Sequence, residues 1–251
     1  MSSLKKAVIL AAGKGTRMGA LTAELPKPML PVRGVPVLER IVRNLVGAGA
    51  SEVLIITGYK AEVVESHFGD GTGFGCRIEF TRQVTQDGTG KVVELSRPFV
   101  GEDPFFLAYG DILTEPETYL ELAESFRSDP SIAGLVTVKL GEDVTQGGLL
   151  IFDSDRRLLD LVEKPSAEKM AELRRDPDFK PWYNAGLYAF GPELFGHLET
   201  LKKSPRGEYE LTDAIVSLAK DTRRVYAREI RGYWIDVRDP ALLARAQELV
   251  R

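Results

Sequence analysis

Leu10-Ala11-Ala12-Gly13-Lys14-Gly15-Thr16-Arg17-Met18 decides how the rest of the chain is read. Just upstream, Lys5-Lys6-Ala7-Val8-Ile9-Leu10 ends in a short apolar run of buried-strand length. Downstream, after Pro26-Lys27-Pro28-Met29-Leu30, the segment Val35-Pro36-Val37-Leu38-Glu39 opens a helical pattern. The glycines therefore fall on a loop leaving the carboxyl end of a strand, where open α/β sheets bind ligands. Glycine there lets successive backbone N–H groups close on phosphate oxygens. Arg17 adds a planar fork of donors and Lys27 a mobile point charge. The combination predicts a triphosphate or pyrophosphate site.

Two better-known phosphate loops are excluded by spacing. A dinucleotide fingerprint needs a third glycine where Met18 stands, and the nearest P-loop lookalike, Thr85 through Gly90-Lys91-Val92, fails at both ends. A lone Gly-x-Gly would be a tight turn with two solvated cations. The full string is more than that.

Outward from the loop, Pro36 to Gly49 reads as an amphipathic helix with Leu38, Ile41, Val42 and Leu45 on one face. Glu52–Thr57 is a second strand, Lys60–Phe68 a second helix, and Cys76–Thr81 a third strand that takes Cys76 into the core. This alternation predicts a parallel sheet with helices on both faces. A polar loop from Gln83 to Lys91 leads into a helix, and the buried run 104–109 ends in Gly110-Asp111. Beyond it the pattern turns strand-rich: 132–139, 148–152, 158–162 and 183–190. Asp239-Pro240 starts a closing helix.

Net charge is −4 over 251 residues with no basic stripe, which argues against nucleic acid as a partner. One cysteine permits no intrachain disulfide and suits a reducing, cytoplasmic setting. The apolar run near the start is too short for a signal peptide and no segment reaches membrane-spanning length, so no membrane partner is expected. His67 and His197 stand alone, so no nucleophilic triad is indicated.

The opening string, followed by Pro26-Lys27-Pro28-Met29-Leu30-Pro31-Val32, resembles the signature of the sugar-1-phosphate nucleotidylyltransferases, and the similarity runs over essentially the whole chain. The resemblance implies an α/β, Rossmann-like nucleotide-diphospho-sugar transferase fold with a mixed, mostly parallel central sheet flanked by helices. It implies one domain over 1–251, with 1–110 facing the nucleotide and 111–251 the sugar phosphate. It also implies Mg²⁺-dependent transfer from a nucleoside triphosphate, dTTP or UTP foremost, to a sugar-1-phosphate with release of pyrophosphate. A homo-oligomer is compatible with all of this.

Residue by residue, the resemblance assigns Leu10, Ala11, Ala12, Gly13, Gly15 and Thr16 to nucleotide binding, and Arg17 and Lys27 to catalysis. It assigns base reading to Gln83, Gly88 and Thr89; a Gln amide both donates to and accepts from a base edge, while the competing reading is a polar surface turn. Asp111, at the end of an apolar strand, is a natural Mg²⁺ ligand, its rival role as a helix cap being weakened by a helix start nearer Thr114. Asp236 resembles the second acidic position of a Trp-x-Asp motif, with a salt bridge to Arg238 or Arg231 as the competitor. Glu163-Lys164-Pro165 matches a sugar-phosphate element, provided the strand end bends so that both side chains meet one ligand. Asn184-Ala185-Gly186 and Gly148 match further sugar-side elements. The rivals from other classes are a relative using GTP or CTP, transfer to a non-sugar phosphate such as phosphocholine, and a non-catalytic sugar-nucleotide sensor.

Overall fold

A computed structural model describes residues 4–250. Strand β1 (Lys6–Ala11) is the centre of the first half. The short ribbons β2 (Pro31–Val32) and β3 (Val35–Pro36) lead into helix α1 (Val37–Gly47). Then come β4 (Glu52–Thr57), α2 (Ala61–Phe68) and β5 (Arg77–Arg82). Two short helices, α3 (Thr89–Glu94) and α4 (Arg97–Val100), precede β6 (Phe105–Tyr109). The second half holds β7 (Ile112–Thr114), α5 (Pro116–Ser128), β8 (Gly134–Lys139), β9 (Gly148–Phe152), β10 (Leu158–Glu163), α6 (Ala167–Leu173) and β11 (Trp182–Phe190). It closes with α7 (Leu194–Glu199), α8 (Leu211–Thr222), β12 (Val225–Glu229), β13 (Trp234–Asp236) and α9 (Pro240–Leu249).

Nine of the strands form one sheet in the order β10-β9-β11-β6-β1-β4-β5, with β8 and β12 branching from β11. Following the pairings, β11 and β10 run against the other seven strands, so the sheet is mixed and mostly parallel. Along β1 and β4 the side chains alternate between two cores. Ala7, Ile9, Val53 and Ile55 pack with Leu38, Ile41, Val64 and Tyr119 on one face, while Val8, Leu54 and Ile56 pack with Val93, Leu198 and Ile215 on the other. Each fully buried aliphatic side chain contributes about 1.5–3 kcal/mol. The apolar stripe predicted for α1 is the buried one.

Three local expectations shift. Cys76 lies one residue before β5 and is half-buried rather than inside a strand. The helix expected from Thr114 begins at Pro116, because Thr114 is held in β7. The bend at Glu163-Lys164 comes from Lys164's own backbone, at φ 47°, as well as from the proline after it. At α9, Asp239 is the expected cap, accepting from the Leu242 N–H at 2.9 Å.

Candidate active site

The carboxyl ends of β1 and β6 lie side by side, with Leu10 opposite Tyr109. The Gly110 N–H continues the ladder to the Leu10 carbonyl at 2.9 Å, which sets Asp111 beside the glycine loop. The small ribbon of β7 and β13 does the rest: Asp236 pairs in register with Ile112, and the Val237 N–H donates to the Asp111 carbonyl at 2.9 Å. Two aspartates 125 positions apart in the chain thus become neighbours through six residues of antiparallel pairing.

Two cavities open here. The first, about 380 Å³, is walled by Leu10 to Gly13, Gly15 to Arg17, Lys27, and Gln83, Gly88 and Thr89 of the 83–91 loop. The second, about 600 Å³, is walled by Gly148, Glu163, Lys164, Asn184 and Asp236. Arg17, Tyr109 and Asp111 border both, joining them into one cleft. Of the residues singled out in the sequence, Ala185 alone lies off it: it is wholly buried, with its carbonyl accepting the Trp234 indole N–H at 2.9 Å. A further cavity of about 380 Å³, walled by Phe152, Phe179 and Trp182, takes in none of them.

The glycine loop packs tightly over the stem of Lys27. A Cβ at Gly15, whose φ is 64°, would stand 2.7 Å from the Lys27 Cβ, so only glycine fits. The Lys27 ammonium pairs directly with the Asp111 carboxylate, both side chains being largely buried. Burial, and next the charge of Asp111, push the Asp236 carboxyl up to about 6, against the pull of Lys27, Arg238 and Arg17. The competing salt bridge from Asp236 to Arg238 exists, but at 3.8 Å it is longer than a hydrogen bond. Asp111 caps no helix, since α5 starts at Pro116.

Among the described residues no group of three or more His, Cys, Asp or Glu side chains is placed to hold a metal ion. Mg²⁺ needs no such cage: it takes one or two carboxylates and fills its shell with phosphate oxygens and water. Asp111 and Asp236, hard oxygen donors on one cleft that repel each other electrostatically, fit that donor set.

In the second cavity, the left-handed backbone of Lys164, fixed by its N–H donating to the Gly147 carbonyl at 2.7 Å, lets consecutive Glu163 and Lys164 border one cleft. Burial holds the Glu163 carboxyl above the usual range; Arg206 opposes this and Glu210 adds to it. Arg206 donates to Glu210 at 2.8 Å and approaches Glu163 at 3.8 Å. The Asn184 carbonyl oxygen accepts from the Tyr188 hydroxyl at 2.9 Å, which fixes its amide where β11 breaks register with β8.

The 83–91 loop, expected to read the base, leans on a segment that sequence reasoning missed. Gly88, at φ 115°, lies so close to Tyr209 that a Cβ would stand 2.4 Å from its backbone. The Gly90 N–H donates to the Tyr209 carbonyl at 2.8 Å and the Tyr209 N–H to the Asp87 carbonyl at 2.9 Å. The Thr89 hydroxyl accepts the Leu211 N–H at 3.1 Å, and the Gln83 amide donates within its own loop to Thr85 at 2.8 Å. Glu208 and Arg238 also border the nucleotide-side cavity. The only sequence signal for these residues was the charged cluster Arg206-Gly207-Glu208-Tyr209-Glu210 and an arginine two places beyond Asp236.

Comparison with known proteins agrees with this architecture. The nucleotidyl transferase family model matches residues 6–251. The bifunctional protein GlmU of Methanococcus aeolicus is 35% identical over 234 residues, covering 93% of this chain and 51% of its own. The low-salt glycan biosynthesis nucleotidyltransferase Agl11 of Haloferax volcanii is 34% identical, covering 98% and 66%. The UTP–glucose-1-phosphate uridylyltransferase AglF of the same organism is 29% identical, covering 94% and 92%. Thus the chain spans about half the length of the first of these relatives and about two-thirds of the second. A Bacillus anthracis structure, described as a glucose-1-phosphate thymidylyltransferase in complex with sucrose, superposes with a TM-score of 0.84 at 26% identity, covering 98% and 95%. A UDP-glucose pyrophosphorylase solved with UDP-glucose gives the same TM-score at 22% identity, covering 98% and 97%, which speaks to the fold alone. On the family match across residues 6–251, this chain belongs to the nucleotidyl transferase family.

Proposed function

We propose that the protein transfers a nucleotidyl group from a nucleoside triphosphate to a sugar-1-phosphate, giving a nucleotide sugar and pyrophosphate. The observation that carries this is the joining of the two cavities at Arg17 and Asp111. One end offers a glycine loop with cations, the other a Glu-Lys pair with an Asn, as an activated nucleotide and a sugar phosphate require. The nucleotide falls to the 1–110 half and the acceptor to the 111–251 half, with Glu208 and Arg238 crossing over.

The acceptor's phosphate oxygen is an anionic nucleophile at neutral pH, so no general base is needed. The obstacle is repulsion between two polyanions, worth roughly 1 kcal/mol per charge pair at ~4 Å in water and several times more in a drier cleft. Charge neutralisation and in-line positioning therefore dominate. Lys27 takes the α-phosphate, Arg17 the β- and γ-phosphates, and Lys164 the acceptor phosphate. Asp111 and Asp236 would hold Mg²⁺, which supplies further positive charge to the phosphate oxygens when bound. Glu163 and Asn184 bind sugar hydroxyls, and Gly148 leaves room for the ring.

The names of the uridylyl and thymidylyl relatives favour UTP or dTTP. A reaction fed by nucleoside triphosphate, and the single unpaired cysteine, suit the cytoplasm. No helix among the described residues is long and apolar enough to cross a membrane. The test is a matrix of nucleoside triphosphates against sugar-1-phosphates, read by pyrophosphate release with and without Mg²⁺. Turnover with UTP or dTTP and a hexose-1-phosphate is the expected result. Turnover only with phosphocholine-like acceptors would move the acceptor class, and nucleotide-sugar binding with no turnover would make the protein a sensor.

A further inference from the structure

Arg238 is the third cation on the nucleotide-side cavity, after Arg17 and Lys27, among the described residues. It reaches the cavity from another element, the link between β13 and α9. The link is fixed at both ends. The Arg238 N–H donates to the Asp236 carbonyl at 2.8 Å in a tight three-residue turn, and the next residue, Asp239, caps α9. The turn fixes the backbone, and the guanidinium itself lies beside Asp236, Asp239 and the Tyr183 hydroxyl. Its two ion pairs, to Asp236 at 3.8 Å and to Asp239 at 4.0 Å, are both longer than a hydrogen bond. The Lys27 ammonium pairs with Asp111, beside the place proposed for the α-phosphate. Arg17 borders both cavities, whereas Arg238 borders the nucleotide side and not the sugar side.

We propose that Arg238 is a further substrate-contacting cation of this site, binding the β- and γ-phosphates together with Arg17 so that pyrophosphate departs from between two guanidiniums. Two planar forks suit a species with many terminal oxygens better than one fork alone. In the step, an acceptor phosphate oxygen bonds to the α-phosphorus while the bond from that phosphorus to the α–β bridging oxygen breaks. The electron pair leaves on pyrophosphate, and no proton need move. Charge thus builds on the leaving group, where a preplaced guanidinium stabilises it most.

This inference rests on the transferase reading, and its test separates the two. On the full chain, Arg238→Met keeps the aliphatic stem and removes the fork, and Arg238→Lys keeps the charge. Forward turnover and its reverse, pyrophosphate plus nucleotide sugar, give KM values for all four substrates. Calorimetric titration with inorganic pyrophosphate and Mg²⁺ gives binding without turnover. For Arg238→Met, KM for pyrophosphate and for the triphosphate is expected to rise at least about tenfold, as for a lost charge-assisted contact. KM for the sugar phosphate should stay within twofold, and Arg238→Lys should recover part of the loss. If Arg238→Met leaves pyrophosphate affinity within twofold of wild type, or weakens sugar phosphate equally, the proposal falls. A wild type without turnover would overturn the transferase reading, and the calorimetric comparison would still decide the role of Arg238.

Discussion

The two ends of the cleft are built by different means. The end proposed for the nucleotide pairs a glycine loop at the end of β1 and the cations Arg17, Lys27 and Arg238 with the 83–91 loop, whose Gln83 amide donates to Thr85 and whose Thr89 hydroxyl accepts from Leu211. The end proposed for the sugar phosphate is mostly side chain: Glu163 at the end of β10, Lys164 just after it and Asn184 on β11, steered by neighbours such as Arg206 and Tyr188. Backbone N–H groups together with fixed cations suit phosphates, which every substrate of the proposed reaction carries. Side-chain recognition suits the variable pattern of hydroxyls on a sugar. The contrast predicts where point substitutions will be costly and where they will only retune.

The largest effect is expected at the junction. Arg17→Ala should lower turnover by roughly 10²–10³-fold, the usual cost of removing a donor aimed at developing charge, with an unchanged far-UV circular dichroism spectrum. Near-normal pyrophosphate release by that variant would break the shared-junction picture. Next comes Asp111→Asn, expected to abolish Mg²⁺-dependent turnover while nucleotide binding, followed by calorimetry, survives in part. An unaltered Mg²⁺ response would count against Asp111 as a ligand.

A sharper probe of backbone against side chain is the pair Gly88→Ala and Gln83→Ala. The first forces a Cβ onto the Tyr209 backbone and should raise KM for the triphosphate about tenfold or more. The second removes an amide whose donor is bonded within its loop and should raise KM only a few-fold. Equal effects would erase the distinction drawn above.

The smallest effect concerns stability. Burial raises the Glu163 carboxyl in the folded protein, so its ionised form opposes folding. A raised carboxyl contributes stability below its unfolded pKa and loses that contribution as pH rises through the folded value. Glu163→Gln should therefore raise the melting temperature at neutral pH by at most a few degrees, roughly the yield of about 1 kcal/mol in a domain of this size. At pH 4 it should give no gain. The same variant should weaken sugar-phosphate binding several-fold, and a drop in melting temperature at pH 7 would reverse the sign argued here.

How much was legible follows the same division. Leu10 to Met18 is contiguous, so its strand, loop and charge could be read together. The strands with long apolar runs, β1, β4 and β6, were readable for the same reason. The β7–β13 ribbon was not: three residues a side are too few for a period of two to show. The roles of Arg206 and Tyr209 were equally hidden, because each depends on a partner more than 40 positions away, and that of Arg238 because the cavity it borders is built mostly by residues far earlier in the chain. The branching of the sheet at β11 was invisible too, since a single apolar strand gives no sign of how many neighbours it will have.

The clasp between Asp87–Gly90 and Tyr209 has an engineering corollary. The segment that braces the base loop continues directly into Glu210, which accepts from Arg206 beside Glu163. On the proposed reading, specificity for base and for sugar is therefore not modular. Transplanting a base loop from a homologue without its bracing segment should yield a chimaera impaired toward both substrates, and ancestry should have altered the two stretches in concert.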